Sequence, residues 1–263
     1  MSQQGTDLGA LGPTLFSLRG KVAIVTGSSR GLGQAICVAY ARSGASIVGV
    51  SSSSSAQTKE QVEAVGGQFL WVQADLTTTS PIPAILEAAL KGFGRIDILV
   101  NNAGTIRRVD MVDFTEKDWD EVMDLNLKTV FFLSQAVAKQ FLKQKTGGKI
   151  LHIASMLSFQ GGIRVASYTA SKSGLAGLTK AMANEWAQHN IQVNALAPGY
   201  MVTDNTAGLR ADAERSRSIL ARIPAGRWGE ATDLMGPAIF LASAASDYMS
   251  GALVPVDGGW LAR

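Results

Sequence analysis

The chain has 263 residues, 46% hydrophobic and 17% charged, with a formal net charge of +3. That is material for one sizeable core and too apolar for a disordered chain, and its 28 glycines follow no collagen-like period. Lysines and arginines are spread out, their longest run being the pair Arg107-Arg108, so no nucleic-acid footprint is present and no apolar run nears the roughly 18 residues of a membrane span.

Residues 1–15 lack the basic and long apolar regions of a secretory leader; they read as a mobile extension ahead of one domain over 16–263. KVAIVTG (21–27) is short, β-branched and closed by glycine, which predicts a buried parallel strand. GLGQAICVAYARSG (31–44) predicts the helix that follows, with Cys37 as a buried spectator. A single cysteine leaves no internal disulfide and fits a reducing, cytoplasmic setting. Further strands are predicted at 45–50, 69–75, 96–104, 148–155, 191–199 and 252–259. Helices are predicted at 57–65, 82–92, 116–142, 167–188, 212–221 and 231–243. Strict alternation implies right-handed crossovers and a sheet covered on both faces. The expected fold class is α/β: a single-domain, Rossmann-like, doubly wound parallel sheet.

VAIVTGSSRGLGQAI sets T-G-x-x-x-G-x-G between a predicted strand and a predicted helix. Gly27, Gly31 and Gly33 let the turn tighten and the backbone approach a pyrophosphate, and Ser29, Arg30 and Leu32 complete that loop. An acid is expected after the second strand to grip a ribose 2′-hydroxyl. GVSSSSSAQ (49–57) puts Ser51 and Ser52 there instead, which removes the repulsion of a 2′-phosphate. Arg30 can reach the same region with a guanidinium. NADP(H) is therefore favoured and NAD(H) remains possible; a solvated serine loop is the plain alternative.

SYTASKSG (167–174) carries Tyr168 and Lys172 at i and i+4, one turn apart on one helix face. Upstream, Ser155 closes the strand GKILHIAS, at an end that should face the ligand crevice. A phenol near pKa 10 is a poor proton donor-acceptor at neutral pH, and a neighbouring ammonium is expected to lower it. The tyrosine then exchanges a proton with an alcohol or ketone oxygen that the serine hydroxyl polarises.

TGSSRGLG, NNAG (101–104), the strand-end serine, YTASK and PGYMVT (198–203), in that order, resemble the short-chain dehydrogenase/reductase family over about residues 16–263. The resemblance implies that Asn126 holds a water linking the lysine to solvent, and that Asp75, beside Leu76, meets the adenine. It implies that Asn102, Ala103 and Gly104 line a cofactor ribose and that Lys172 binds the nicotinamide ribose. Pro198, Gly199, Met201 and Thr203 would line the nicotinamide end. Family members are typically tetramers.

ASMLSFQGGIRVASYTASKSG (154–174), NAGTIRR, MANEWAQHNIQVNA, RIPAGRWG and VDGGWLAR (256–263) resemble one branch of the family more closely. That branch interconverts a ketone and a secondary alcohol on uronate-derived deoxy keto sugar acids of pectin or alginate breakdown, chiefly with NAD(H). An anionic substrate needs a cation, so Arg107 and Arg164 are the expected carboxylate clamps. Gln160 is expected on sugar hydroxyls and Ser155 on the reacting oxygen. Gluconate 5-dehydrogenation and 3-oxoacyl carrier reduction are rival chemistries on the same scaffold. A nucleotide-sensing regulator is the non-enzymatic rival, and it has no use for a proton relay.

Overall fold

Seven strands pair side by side: β1 (Val22–Thr26), β2 (Ser46–Ser51), β3 (Phe69–Gln73), β4 (Ile98–Asn101), β5 (Gly148–Ile153), β6 (Ile191–Pro198) and β7 (Leu253–Val256). Their order is β3-β2-β1-β4-β5-β6-β7 and every pairing is parallel. The computed structural model describes residues 13–263. Of the expected extension, 13–15 belong to a 3-10 turn (Pro13–Phe16) that sets the Phe16 ring 6.4 Å from Phe240. The rest of that segment lies outside the described residues.

Side chains alternate along each strand, so each strand feeds two cores. Ala23, Val25, Ile47 and Val100 face α1 (Gly31–Arg42) and α9 (Met235–Ala242), where Tyr40 is wholly buried and donates its hydroxyl to the Ala238 carbonyl at 3.1 Å. Val22, Ile24, Val48 and Leu99 face α3 (Ile82–Phe93), α5 (Thr129–Gln144) and α6 (Ala166–Trp186). The remaining helices are α2 (Ala56–Ala64), α4 (Glu116–Met123), α7 (Ala207–Ala211) and α8 (Ala213–Arg222). Strand order reverses between β1 and β4, which opens a crevice beyond their carboxyl ends.

One predicted helix is broken: the stretch 116–142 is α4 and α5 joined by a π turn, Asp124–Lys128, with Asn126 buried inside it. The helix expected near 212–221 is α8, started by the Asp212 carboxylate accepting the Arg215 N–H at 2.9 Å, and the short α7 precedes it across a hinge at Asp212. Among the described residues no helix is long and apolar enough to cross a membrane, and no three His, Cys, Asp or Glu side chains are grouped to hold a metal.

Candidate active site

Between β1 and α1 the glycine loop turns through Gly27 and Gly31 at φ +66° and +59°, a region closed to most side chains. Gly33 is required by space: a Cβ there would lie 2.2 Å from the Gly27 carbonyl oxygen. Asn102 donates its amide to the carbonyls of Thr26 and Gly27 at 2.9 and 3.2 Å. Thr26 Oγ1 accepts the N–H groups of Asn102 and Ala103 at 3.0 and 2.9 Å. The Asn102 side chain thus braces the loop. Arg30 is the N-cap of α1 and offers no side-chain acceptor to the first turn, which holds no acid. Free N–H groups on a side-chain-free cradle fit a pyrophosphate.

The other cofactor positions ring that cradle. Ser29 and Leu32 flank Arg30 and Gly31; Ala103 and Gly104 follow β4; Pro198 and Gly199 end β6. Asp75 is exposed after β3, with Oδ1 accepting from Thr77 twice, at 3.0 and 2.9 Å; Leu76 is buried in the core. Thr203 caps the turn Asp204–Thr206. Met201 is buried, its sulfur packed over Gly229 and its carbonyl accepting from Thr206 Oγ1 at 2.6 Å.

Ser51 needs correcting as a hydroxyl donor to a phosphate. Its hydroxyl is buried, donates to the Ser53 carbonyl at 2.7 Å, accepts the Trp71 indole N–H at 3.0 Å and lies 2.8 Å from Ser55 Oγ. Ser55 continues to Ser28 Oγ at 3.0 Å. One donor and two lone pairs are thereby used, and nothing remains for a phosphate. Two serines of the run build the floor of the pocket and Ser52 stays exposed. Arg30 is 73% exposed and pairs with Asp204 across the crevice at 2.7 Å.

Ser155 stands two residues past β5, with Oγ accepting the Leu157 N–H at 3.1 Å. The catalytic helix is fastened to this loop by Ser158 Oγ donating to the Lys172 carbonyl (2.7 Å) and Ser173 Oγ to the Leu157 carbonyl (3.2 Å). Tyr168 and Ser155 come together. Burial pushes the phenol above its usual range, while a hydrogen bond with Ser155 and the charge of Arg108 pull it down. The Lys172 ammonium donates to the Ile153 carbonyl at 2.6 Å and lies 5.6 Å from the tyrosine ring centre. Burial lowers Lys172 to about 8. Asn126 uses its amide on protein: Oδ1 accepts the Thr105 N–H, and Nδ2 donates to the Thr105 carbonyl, both at 2.9 Å, and reaches Ser171 Oγ at 3.3 Å.

The lysine's burial makes a stability prediction. Below pH 8 both folded and unfolded chains carry the ammonium, so the full burial cost stands. Between about 8 and 10.5 the folded chain has released a proton the unfolded chain still holds, and stability rises with pH. The shift corresponds to about 3 kcal/mol. Lys172→Met is expected to abolish activity, and its stability advantage over the native chain to shrink by about 2 kcal/mol between pH ~7 and ~10 in denaturant melts.

Three of the expected substrate residues have protein partners. Arg107 is committed to Glu121 (3.0 and 2.6 Å), with Asp118 at 3.8 Å. Arg164, at φ +63°, pairs with Asp110 at 3.2 Å, and its carbonyl accepts the Val109 N–H. Gln160 Oε1 accepts from Trp260 Nε1 (3.3 Å) and Arg222 (3.4 Å). The residue missed is Arg108, exposed, with Nη2 on the Asn205 carbonyl at 3.2 Å and its charge felt at the Tyr168 phenol. Neighbours on an extended segment point opposite ways, so Arg107 turns to α4 and Arg108 to the crevice. His152, also missed, is wholly buried, lies 3.1 Å from Asn101 Nδ2, and is held neutral (pushed to about 3) by burial and the charge of Lys172.

A dinucleotide cradle beside a serine, tyrosine and lysine at the strand ends defines a nicotinamide-dependent oxidoreductase. The pattern of the short chain dehydrogenase family matches residues 21–214, and the chain belongs to that family. Among curated relatives, 2-dehydro-3-deoxy-D-gluconate 5-dehydrogenase of Escherichia coli (strain K12) is 63% identical over 94% of this chain and 98% of its own. The Bacillus subtilis (strain 168) protein of the same name is 51% identical over 94% and 97%. A crystal structure of a gluconate 5-dehydrogenase from Burkholderia cenocepacia J2315, in complex with NADP and tartrate, superposes with a TM-score of 0.91 at 38% identity, covering 95% of this chain and 99% of that one.

Proposed function

We propose that the protein interconverts a ketone and a secondary alcohol on a uronate-derived deoxy keto sugar acid, with carbon 5 of 2-dehydro-3-deoxy-D-gluconate as the reacting centre and NADP(H) as the favoured cofactor. The observation that carries the reading is Arg108, an exposed cation with no carboxylate partner among the described residues, whose charge reaches the phenol of Tyr168. A carboxylate on the same small molecule as the carbonyl would be a natural partner for that cation. The relatives named for this dehydrogenation support the same substrate class. Gluconate 5-dehydrogenation is the second reading, favoured by the Burkholderia relative.

The glycine loop would hold the cofactor's pyrophosphate, and the nicotinamide would supply or take the hydride at the substrate's carbonyl carbon. Ser155 and Tyr168 hold the oxygen; Tyr168 gives or takes its proton; Lys172 returns charge balance from beneath. Because the amide of Asn126 is committed to Thr105 and Ser171, a solvent relay would draw on the main chain of its π turn. Arg30, Ser52 and the absence of an acid at Ser51 support the phosphorylated cofactor. A cytoplasmic homotetramer completes the proposal, with exposed Trp119 and Phe132 available for subunit contacts.

The test is steady-state turnover of this keto acid and of 4-deoxy-5-hexoseulose uronate with both cofactors. NADP(H) is expected to exceed NAD(H) by about tenfold in kcat/KM, and Arg30→Ala to erase the difference by weakening the phosphorylated form alone. Equal rates with both cofactors would overturn the cofactor reading. Turnover of neutral ketones with none of the acids would overturn the substrate reading.

A further inference from the structure

The C-terminal turn lies against the substrate side of the crevice. A third, small core gathers Met156, Leu157 and Val165 from the loop after Ser155, Ile219 and Ile223 from α8 and its exit, and Trp260 from the chain's last turn. Trp260 is only 4% exposed, and the edge of Tyr168 packs on the same cluster. The indole N–H donates to Gln160 Oε1 at 3.3 Å, Arg222 donates to that oxygen at 3.4 Å, and the Arg222 guanidinium lies 3.9 Å from the indole ring centre. Tyr200 stacks edge-on to Trp260 at 4.8 Å between centroids. Arg263 then closes over the end of α8, donating to the carbonyls of Ala221 and Arg222 at 3.0 and 2.9 Å.

We propose that Trp260 is a positioning residue: a strap that joins the loop carrying Ser155 to the segment 203–223, so that both hold one geometry over the substrate. The three partners come from distant parts of the chain, and each touches the other two, with the buried indole as the one member anchored in the small core. Gln160 sits at the open end of the catalytic loop, where a free amide would swing; two donors on one carbonyl oxygen fix it. Arg222 ends α8 and its charge rests on an aromatic face. The segment 203–223 is short helices hinged at Asp212, with few buried side chains of its own, so its position depends on what it packs against. The segment meets the glycine loop through the exposed Arg30–Asp204 pair at 2.7 Å, whereas Trp260 and Arg222 hold its other end, so the effect falls first on substrate.

The proposal rests on 203–223 covering the substrate, and the experiment reads variants as ratios to native turnover of whichever ketone the enzyme reduces, so it fails separately from the identity of that ketone. Trp260→Ala is expected to raise KM about tenfold, to change kcat less than threefold, and to leave the NADPH dissociation constant within twofold. Trp260→Phe keeps the ring and loses the N–H, and is expected to recover most of the loss. Gln160→Leu removes the shared acceptor at a half-buried site and is expected to raise KM about threefold, with a double-mutant cycle against Trp260→Phe showing non-additivity. An unchanged KM in Gln160→Leu, additive effects in the cycle, or a parallel loss of NADPH affinity in Trp260→Phe would overturn the strap; these variants also decide the matter should Trp260→Ala not fold.

Discussion

Tyr168→Phe is expected to lower kcat by about a thousandfold, with the fold and the NADPH affinity kept. The ring itself packs on the core formed by Met156, Leu157 and Trp260, and phenylalanine preserves that surface while removing only the oxygen. What is lost is the one group placed both to share a hydrogen bond with Ser155 and to feel the charge of Arg108. Burial keeps this phenol protonated at neutral pH, so the crevice as it stands presents a proton donor, which suits reduction of a carbonyl. Lys172, lowered to about 8, can pass between charged and neutral just above neutrality and so reload that donor. Steady-state rates with a fluorescence titration of NADPH check the result. A variant within tenfold of native kcat would mean that the oxygen draws its proton elsewhere.

The layout of the fold was legible because its signals are local. β-branched runs ending in glycine mark the strands, and Gly27, Gly31 and Gly33 mark a turn that only glycine fills. The i, i+4 spacing puts Tyr168 and Lys172 on one face of α6, and parallel strands put Ser155 near them. The π turn around Asn126 was hidden because the apolar pattern runs through it without a break. What one sequence does not display is which polar partner wins a side chain. Ser51 occupies the position of the missing acid, yet Trp71, Ser53 and Ser55 use its whole hydrogen-bonding capacity. Arg107 and Arg164 have the chemistry of a carboxylate clamp, and Glu121 and Asp110 already supply the carboxylates. Gln160 gives its carbonyl oxygen to a tryptophan 100 positions along the chain. Each of these losses is a competition settled by tertiary neighbours, which residue type and spacing do not encode.

Arg108→Gln is expected to raise KM for the acidic keto sugar about thirtyfold or more while changing that for a neutral ketone less than threefold. A hydrogen bond to a charged group contributes about 1.5–3 kcal/mol, which sets the size of the effect. The arginine holds the segment after Thr203 only through one 3.2 Å contact with the Asn205 carbonyl, so a carboxylate arriving in the crevice offers it a better partner. Arg107 serves as the control because it adjoins Arg108 in the chain and is turned to α4, where Glu121 holds it. Arg107→Gln breaks the pair with Glu121 and loosens the loop after β4 for every substrate alike, so acidic and neutral ketones should suffer equally. The contrast between two adjacent residues separates a bound carboxylate from a general need for positive charge. If Arg108→Gln penalises both ketones to the same degree, the cation supports the loop rather than the substrate, and the acidic-substrate reading loses its anchor.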